Sequence, residues 1–146
     1  MIGDLLNRLF HPEPPELDVM DYRLALTALL VRLARTDGDY APSEIRRIEQ
    51  IAMSRFGLTE PEAATLRGEA EEIEAEAPDT VRFTRAIKEA VPYDERTGVI
   101  EGLWEVALAD GVRDQDEDAL VRLVCALLGV SDVDSAMARH RVMSRQ

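Results

Sequence analysis

Apolar residues recur along this chain with the three-to-four-residue step of helices that bury one face, and no segment sustains the strict alternation of a half-buried strand. Ile2, Leu5, Leu6, Leu9 and Phe10 fall at i, i+3, i+4, i+7 and i+8, which predicts a short amphipathic helix. It stops near His11, because Pro12 drives the residue before it out of helical geometry, and Pro12-Glu13-Pro14-Pro15 follows as a stiff, extended spacer. This helix is expected either to fold back on its own core or to offer its apolar face to a partner or a membrane surface. A longer helix is predicted from an N-cap at Asp18 to Arg35, with Leu26, Leu29, Leu30 and Leu33 as its stripe and Asp37-Gly38 as its end. The next starts near Pro42, carries Ile45, Ile48, Ile51, Ala52 and Phe56, and stops at Gly57, completing a helical hairpin.

Thr59 with Glu62 has capping-box spacing and opens a helix that is densely acidic from Glu69 to Glu76 and closed by Pro78. Asp79 is the expected cap of a helix through Val81, Ile87 and Val91. Pro92 and Asp94 separate it from another that contains Ile100, Leu103, Trp104 and Ala107 and ends at Asp110-Gly111. Asp114 with Glu117 forms a further capping box, ahead of Leu120, Leu123, Val124 and Leu127 and a stop at Gly129. Ser131 with Asp134 begins a last helix that runs into Arg139, His140, Arg141 and Arg145. The expected fold is all-α: an antiparallel bundle of about seven helices over residues 16–146, preceded by the N-terminal helix and spacer of residues 1–15.

Two stretches of this pattern are copies of each other. Leu30-Val31-Arg32-Leu33-Ala34-Arg35-Thr36-Asp37-Gly38 aligns with Leu103-Trp104-Glu105-Val106-Ala107-Leu108-Ala109-Asp110-Gly111 at a constant offset of 73. Glu44 maps onto Glu117 at that offset, while Gly57 maps onto Gly129 and Thr59 onto Ser131 at 72, so the second copy is one residue shorter. The chain therefore holds two pseudo-symmetric helical hairpins, each a helix, an Asp-Gly loop and a helix with an acid in its first turn.

Charge and composition narrow the function classes. The 146 residues fit one domain, long enough to bury roughly 70% of its unfolded surface. No apolar run approaches the ~20 residues of a membrane-spanning helix, and no secretory leader is visible, so a cytoplasmic location is the expectation. With 29 acidic against 17 basic residues the net charge is −12, which repels a phosphate backbone and argues against nucleic acid. The lone Cys125, set among Leu123, Val124, Leu127 and Leu128, reads as a buried inert thiol. His11 and His140 have no carboxylate or cysteine at helical spacing and read as surface residues.

The acids of the two loops carry the sharpest chemistry. If the hairpins pack about a pseudo-two-fold axis, Asp37, Glu44, Asp110 and Glu117 can pool at one end of the bundle, with Asp39, Asp114 and Asp116 as weaker members. Such a set suits a hard divalent cation, Ca²⁺ or Mg²⁺, which takes carboxylate and water oxygens. Neither loop is an EF-hand, since each glycine follows its aspartate directly. Two other accounts exist. First-turn acids favour the helix dipole and cap helices without any ion, and Arg35, Arg46, Arg47 and Arg113 are placed to neutralise them. A hydrolase built on a carboxylate-held metal is the enzymatic alternative, but no nucleophile with a base and no phosphate-cradling loop accompanies it, so a non-enzymatic module is expected.

The paired motifs Leu33-Ala34-Arg35-Thr36-Asp37-Gly38 with Glu44 and Val106-Ala107-Leu108-Ala109-Asp110-Gly111 with Glu117 resemble those of the TerB-like domain family, over about residues 18–140. That family includes tellurite-resistance TerB and the N-terminal region of some membrane-anchored DnaJ-like co-chaperones. The resemblance implies an all-α fold of about seven helices with clustered acids at helix starts, and a role in metal-linked stress responses through protein partners at the membrane. Only Asp37, Glu44, Asp110 and Glu117 carry over. Asp39 faces Val112 and Asp114 faces Ala41, so the halves are not chemically equivalent, and Lys88 is the only lysine.

Overall fold

The computed structural model describes residues 21–36, 38–109 and 115–145. The expected helix over residues 2–10, the spacer of residues 12–15 and the Asp18 cap lie outside the described residues, as do Asp37 and residues 110–114. Among the described residues the chain forms seven α-helices and no strand: α1 (Asp21–Arg35), α2 (Pro42–Phe56), α3 (Glu60–Glu76), α4 (Val81–Ala90), α5 (Arg96–Ala107), α6 (Gln115–Leu128) and α7 (Asp132–Arg145). A single 3-10 turn, Tyr93–Glu95, links α4 to α5 at the break set by Pro92.

Helix α1 is apolar on nearly every side, so it sits in the middle and not on the surface. Leu24, Ala25, Leu26, Ala28, Leu29, Leu30, Val31, Leu33 and Ala34 are all buried, and α2, α3, α4, α5 and α6 each pack on this helix. Truncating a side chain as enclosed as Leu29 or Leu33 to alanine is worth about 3 kcal/mol, the usual cost of a lost buried leucine with its cavity.

The repeat seen in the sequence is also a repeat in burial. At the offset of 73, Leu30, Leu33, Ala34, Ile48, Ile51 and Ala52 correspond to Leu103, Val106, Ala107, Val121, Val124 and Cys125, and all twelve are buried. The second helix of each hairpin also ends in the same way. Gly57 and Gly129 take left-handed φ values of 66° and 75°. The following amides, Leu58 N and Val130 N, donate back to Met53 O at 3.2 Å and Cys125 O at 2.8 Å. This is the Schellman closure that a glycine permits without Cβ strain.

Other sequence signals hold locally. Thr59 Oγ1 accepts from Glu62 N at 3.3 Å, and Glu62 Oε1 accepts from Thr59 N at 2.9 Å, so the capping box is reciprocal. Asp79 accepts from Val81 N at 3.1 Å and Ser131 Oγ from Asp134 N at 3.1 Å. The acidic stretch of α3 differs from a plain solvated face. Glu74 takes Arg32 Nε at 3.0 Å and Arg35 Nη1 at 2.7 Å, and Glu71 takes Arg67 Nη1 at 3.0 Å. Two of the five glutamates from Glu69 to Glu76 thus tie α3 to α1 and to itself.

Two arginines donate to carbonyls at helix ends. Arg32 Nη2 donates to Glu74 O at 3.1 Å and Ala77 O at 2.7 Å, carbonyls at the C-terminal end of α3, with its guanidinium 5.2 Å from the centre of the Phe83 ring. Arg96 donates to Lys88 O and Val91 O at the end of α4 and to Leu128 O at the end of α6, each at 3.1 Å. Cationic donors on C-terminal carbonyls satisfy orphan acceptors and oppose the negative end of the dipole.

Candidate functional site

Each hairpin brings one glutamate to the start of its second helix. Pro42 sets the first turn of α2 and Ala41, in extended geometry, stands at the cap position with no side chain able to bond. Glu44, three residues on, turns back instead and accepts the Ala41 amide on Oε1 at 2.9 Å. Its counterpart Glu117 occupies the first turn of α6, beside Asp116 and Asp118.

Burial separates these two from ordinary first-turn acids. Glu44 is 0% and Glu117 1% exposed, whereas Asp39 and Asp116 are exposed. Among the described residues, the matched pair Glu44 and Glu117 is enclosed, while Asp39 and Asp116 face water. A carboxylate withdrawn from water costs several kcal/mol unless donors or a cation compensate it, and helix dipole alone supplies about 0.3–1 kcal/mol. Both helices that carry these glutamates pack on α1. All four of Glu44, Glu117, Asp39 and Asp116 make polar or electrostatic contacts.

Of the remaining expected site residues, Asp37, Asp110 and Asp114 lie outside the described residues. Among the described residues no group of three or more His, Cys, Asp or Glu side chains is gathered as a metal set. Glu44 and Glu117 supply carboxylate oxygens at the starts of two helices, the hard donor type that a divalent cation takes. The arginines expected to compete for the acids divide. Arg35 is committed to Glu74 and lies 5.2 Å from the centre of the Tyr40 ring, Arg47 lines a groove between α2 and α5, and Arg113 lies outside the described residues.

Nucleophile candidates have their own surroundings. Cys125 is buried, and desolvation pushes its thiol above the usual range, which disfavours the reactive thiolate. Tyr40 is pushed up as well, first by burial and then by the neighbouring Glu71. His140 is exposed on α7. No helix among the described residues is long and apolar enough to cross a membrane.

What sequence reasoning missed is the enclosure of Glu44 and Glu117 and the carbonyl-capping roles of Arg32 and Arg96. Arg32 had a readable signal, being a charge inside a helix otherwise apolar from Leu24 to Ala34 but for Thr27. Arg96 had none.

Comparison with curated proteins and with solved structures gives no match. The family model described as tellurite resistance protein TerB does match, over residues 23–140. That span takes in both hairpins, both buried glutamates and the helices between them, and on it the chain belongs to the TerB family.

Proposed function

We propose that this TerB-family domain is a non-enzymatic binding module in which a divalent cation, Ca²⁺ or Mg²⁺, joins the two interhelical loops through Asp37, Glu44, Asp110 and Glu117 and tunes how the domain engages protein partners. The observation that carries this reading is the matched burial of Glu44 and Glu117 at equivalent places in two hairpins. A cap needs only an exposed acid, as Glu62 shows at the start of α3. Enclosing both glutamates makes sense if they serve a charge that lies inside the fold with them. The match to the family model described as tellurite resistance protein TerB supports a role for this module in tellurite or general stress responses as part of the same proposal. A partner-based role also agrees with the inert setting of Cys125.

A second reading has one observation in its favour. The bond from Ala41 N to Glu44 Oε1 is a structural use of that carboxylate, and a purely structural interaction domain would need no more from it. Calorimetric titration of Ca²⁺ and of Mg²⁺ into chelator-stripped protein separates the two. The cation reading expects one saturable site that Glu44→Gln and Glu117→Gln each remove, with circular dichroism showing both variants folded. Absence of a saturable site, or a site indifferent to both substitutions, leaves the structural reading in its place.

A further inference from the structure

The opening turn of α1, the turn after α2 and the first half of α3 enclose a groove of about 510 Å³. Leu24, Leu58, Pro61 and Leu66 give it an apolar lining, and Leu58 and Leu66 stay half-buried there instead of being covered. Apolar side chains held in a concave, water-filled place are what a partner's own apolar side chain gains most by covering.

The charged rim of this groove is acidic. Glu62, Thr65 and Glu69 line it at i, i+3 and i+7 of α3, all exposed, against one arginine, Arg23, which has an interaction of its own. Glu72 and Glu76, exposed at i+10 and i+14, carry the same face of α3 beyond the groove. Among the described residues Glu69, Glu72 and Glu76 are in no ion pair, whereas Glu71 and Glu74 of the same helix hold Arg67, Arg32 and Arg35. Like charges three and four residues apart repel along a helix, and the last turn of α3 has no base to oppose its dipole. The outer row therefore costs the helix stability that a bound cation returns.

We infer that this groove is the docking site for a basic amphipathic helix of a partner protein, which seats an apolar side chain against Leu24, Leu58 and Leu66 and sets lysine or arginine on Glu62 and Glu69. The two glutamates are seven residues apart, about 10 Å along α3, so the partner's cations stand two turns apart on either side of its apolar anchor. Charge complementarity selects this occupant at both scales. The rim carries two acids to one engaged base, and the whole chain, at −12, draws a basic partner while repelling acidic helices, anionic membranes and copies of itself. The inference rests on the binding-module reading but not on its cation, since neither Asp-Gly loop lines the groove.

The full chain is titrated into a fluorescein-labelled three-heptad peptide bearing leucine on one face and arginine on the other, and binding is read as anisotropy. The expected result is saturable binding that Glu69→Arg and Thr65→Arg each weaken by about tenfold and that added salt weakens further. Both positions are exposed, so the melting curve stays in place. Asp94→Arg, at an exposed acid outside the groove, changes net charge as much as Glu69→Arg does and leaves the affinity unchanged. Peptides with serine for leucine or glutamate for arginine give no saturable binding. Equal weakening by Asp94→Arg, equal binding of the serine peptide, or no saturable binding at all overturns the inference. So does binding that appears only once Leu5 and Leu6 are changed to aspartate, which gives the groove to the chain's own residues 2–10. Self-association abolished by Thr65→Arg gives it to a second copy and overturns the inference too. Titration in chelator and in Mg²⁺ keeps the two proposals apart: arginine-peptide binding that persists in chelator upholds the groove even where no cation site exists.

Discussion

Replacing Arg32 with alanine tests whether the helix ends of this bundle are held by arginine. The substitution removes the Nε bond to Glu74 Oε2 at 3.0 Å and the Nη2 bonds to Glu74 O and Ala77 O at 3.1 and 2.7 Å. It also takes the cation from over the Phe83 ring. A hydrogen bond to a charged group contributes about 1.5–3 kcal/mol, and two carbonyls in a part-buried place lose a donor. Arg35 keeps Glu74 paired, so the costs do not add in full, and the expected loss is about 3 kcal/mol. In a domain of this length that lowers Tm by about 9 °C, at roughly 3 °C per kcal/mol. Arg67→Ala is the comparison. Arg67 bridges Glu49 and Glu71 at 2.9 and 3.0 Å, but both pairs are between side chains, so about 1 kcal/mol is expected. Urea unfolding followed by circular dichroism gives both values on one scale. Arg32→Lys should recover less than half of the loss, because an ammonium cannot fork onto the same carbonyls. A loss for Arg32→Ala no larger than that for Arg67→Ala would refute the argument.

Three further outcomes follow from the same geometry. Gly68 lies inside α3 with open space where a Cβ would stand, so Gly68→Ala should stabilise the fold by about 0.5–1 kcal/mol, read as a higher urea midpoint; a lower midpoint contradicts it. Cys125 should react with a thiol reagent in the native state only as fast as the protein opens, and fast labelling at neutral pH would show that the thiol is accessible. The Thr59 bonds hold the Glu62 carboxyl below its usual range, so its folded value is depressed relative to the unfolded chain. Its support for the α3 cap is therefore present above the ordinary carboxylate range and fades as pH falls through the folded value, which the Thr59 amide shift should track and Glu62→Gln should abolish.

The sequence revealed most of the architecture because its signals are local. Thr59 and Glu62, Pro42, Gly57 and Gly129 act within one helical turn, and each behaves as its spacing implied. The repeat was legible for the same reason, since equal core positions in two hairpins demand equal residue types. What stayed hidden depends on contacts distant in the chain. Arg32 reaches Ala77 over 45 positions and Arg96 reaches Leu128 over 32, and no periodicity announces such pairs. Glu44 and Glu117 were marked as matched acids, yet a first-turn glutamate looks the same in sequence whether water or core surrounds it. The acidity of α3 is a second such case, because nothing in the local sequence says that Glu74 meets Arg32 and Arg35 of α1.

The central claim is that matched glutamates buried in two hairpins serve a shared cation, and thermal unfolding of the chelator-stripped protein with and without millimolar Ca²⁺ or Mg²⁺ tests it most directly. A ligand present at about a hundred times its dissociation constant stabilises the native state by about 2.7 kcal/mol, a rise in Tm of about 8 °C here. The account predicts such a rise with at least one of the two ions, abolished by Asp37→Ala and by Asp110→Ala alike. An unchanged Tm with both ions, or a rise that survives either substitution, contradicts it.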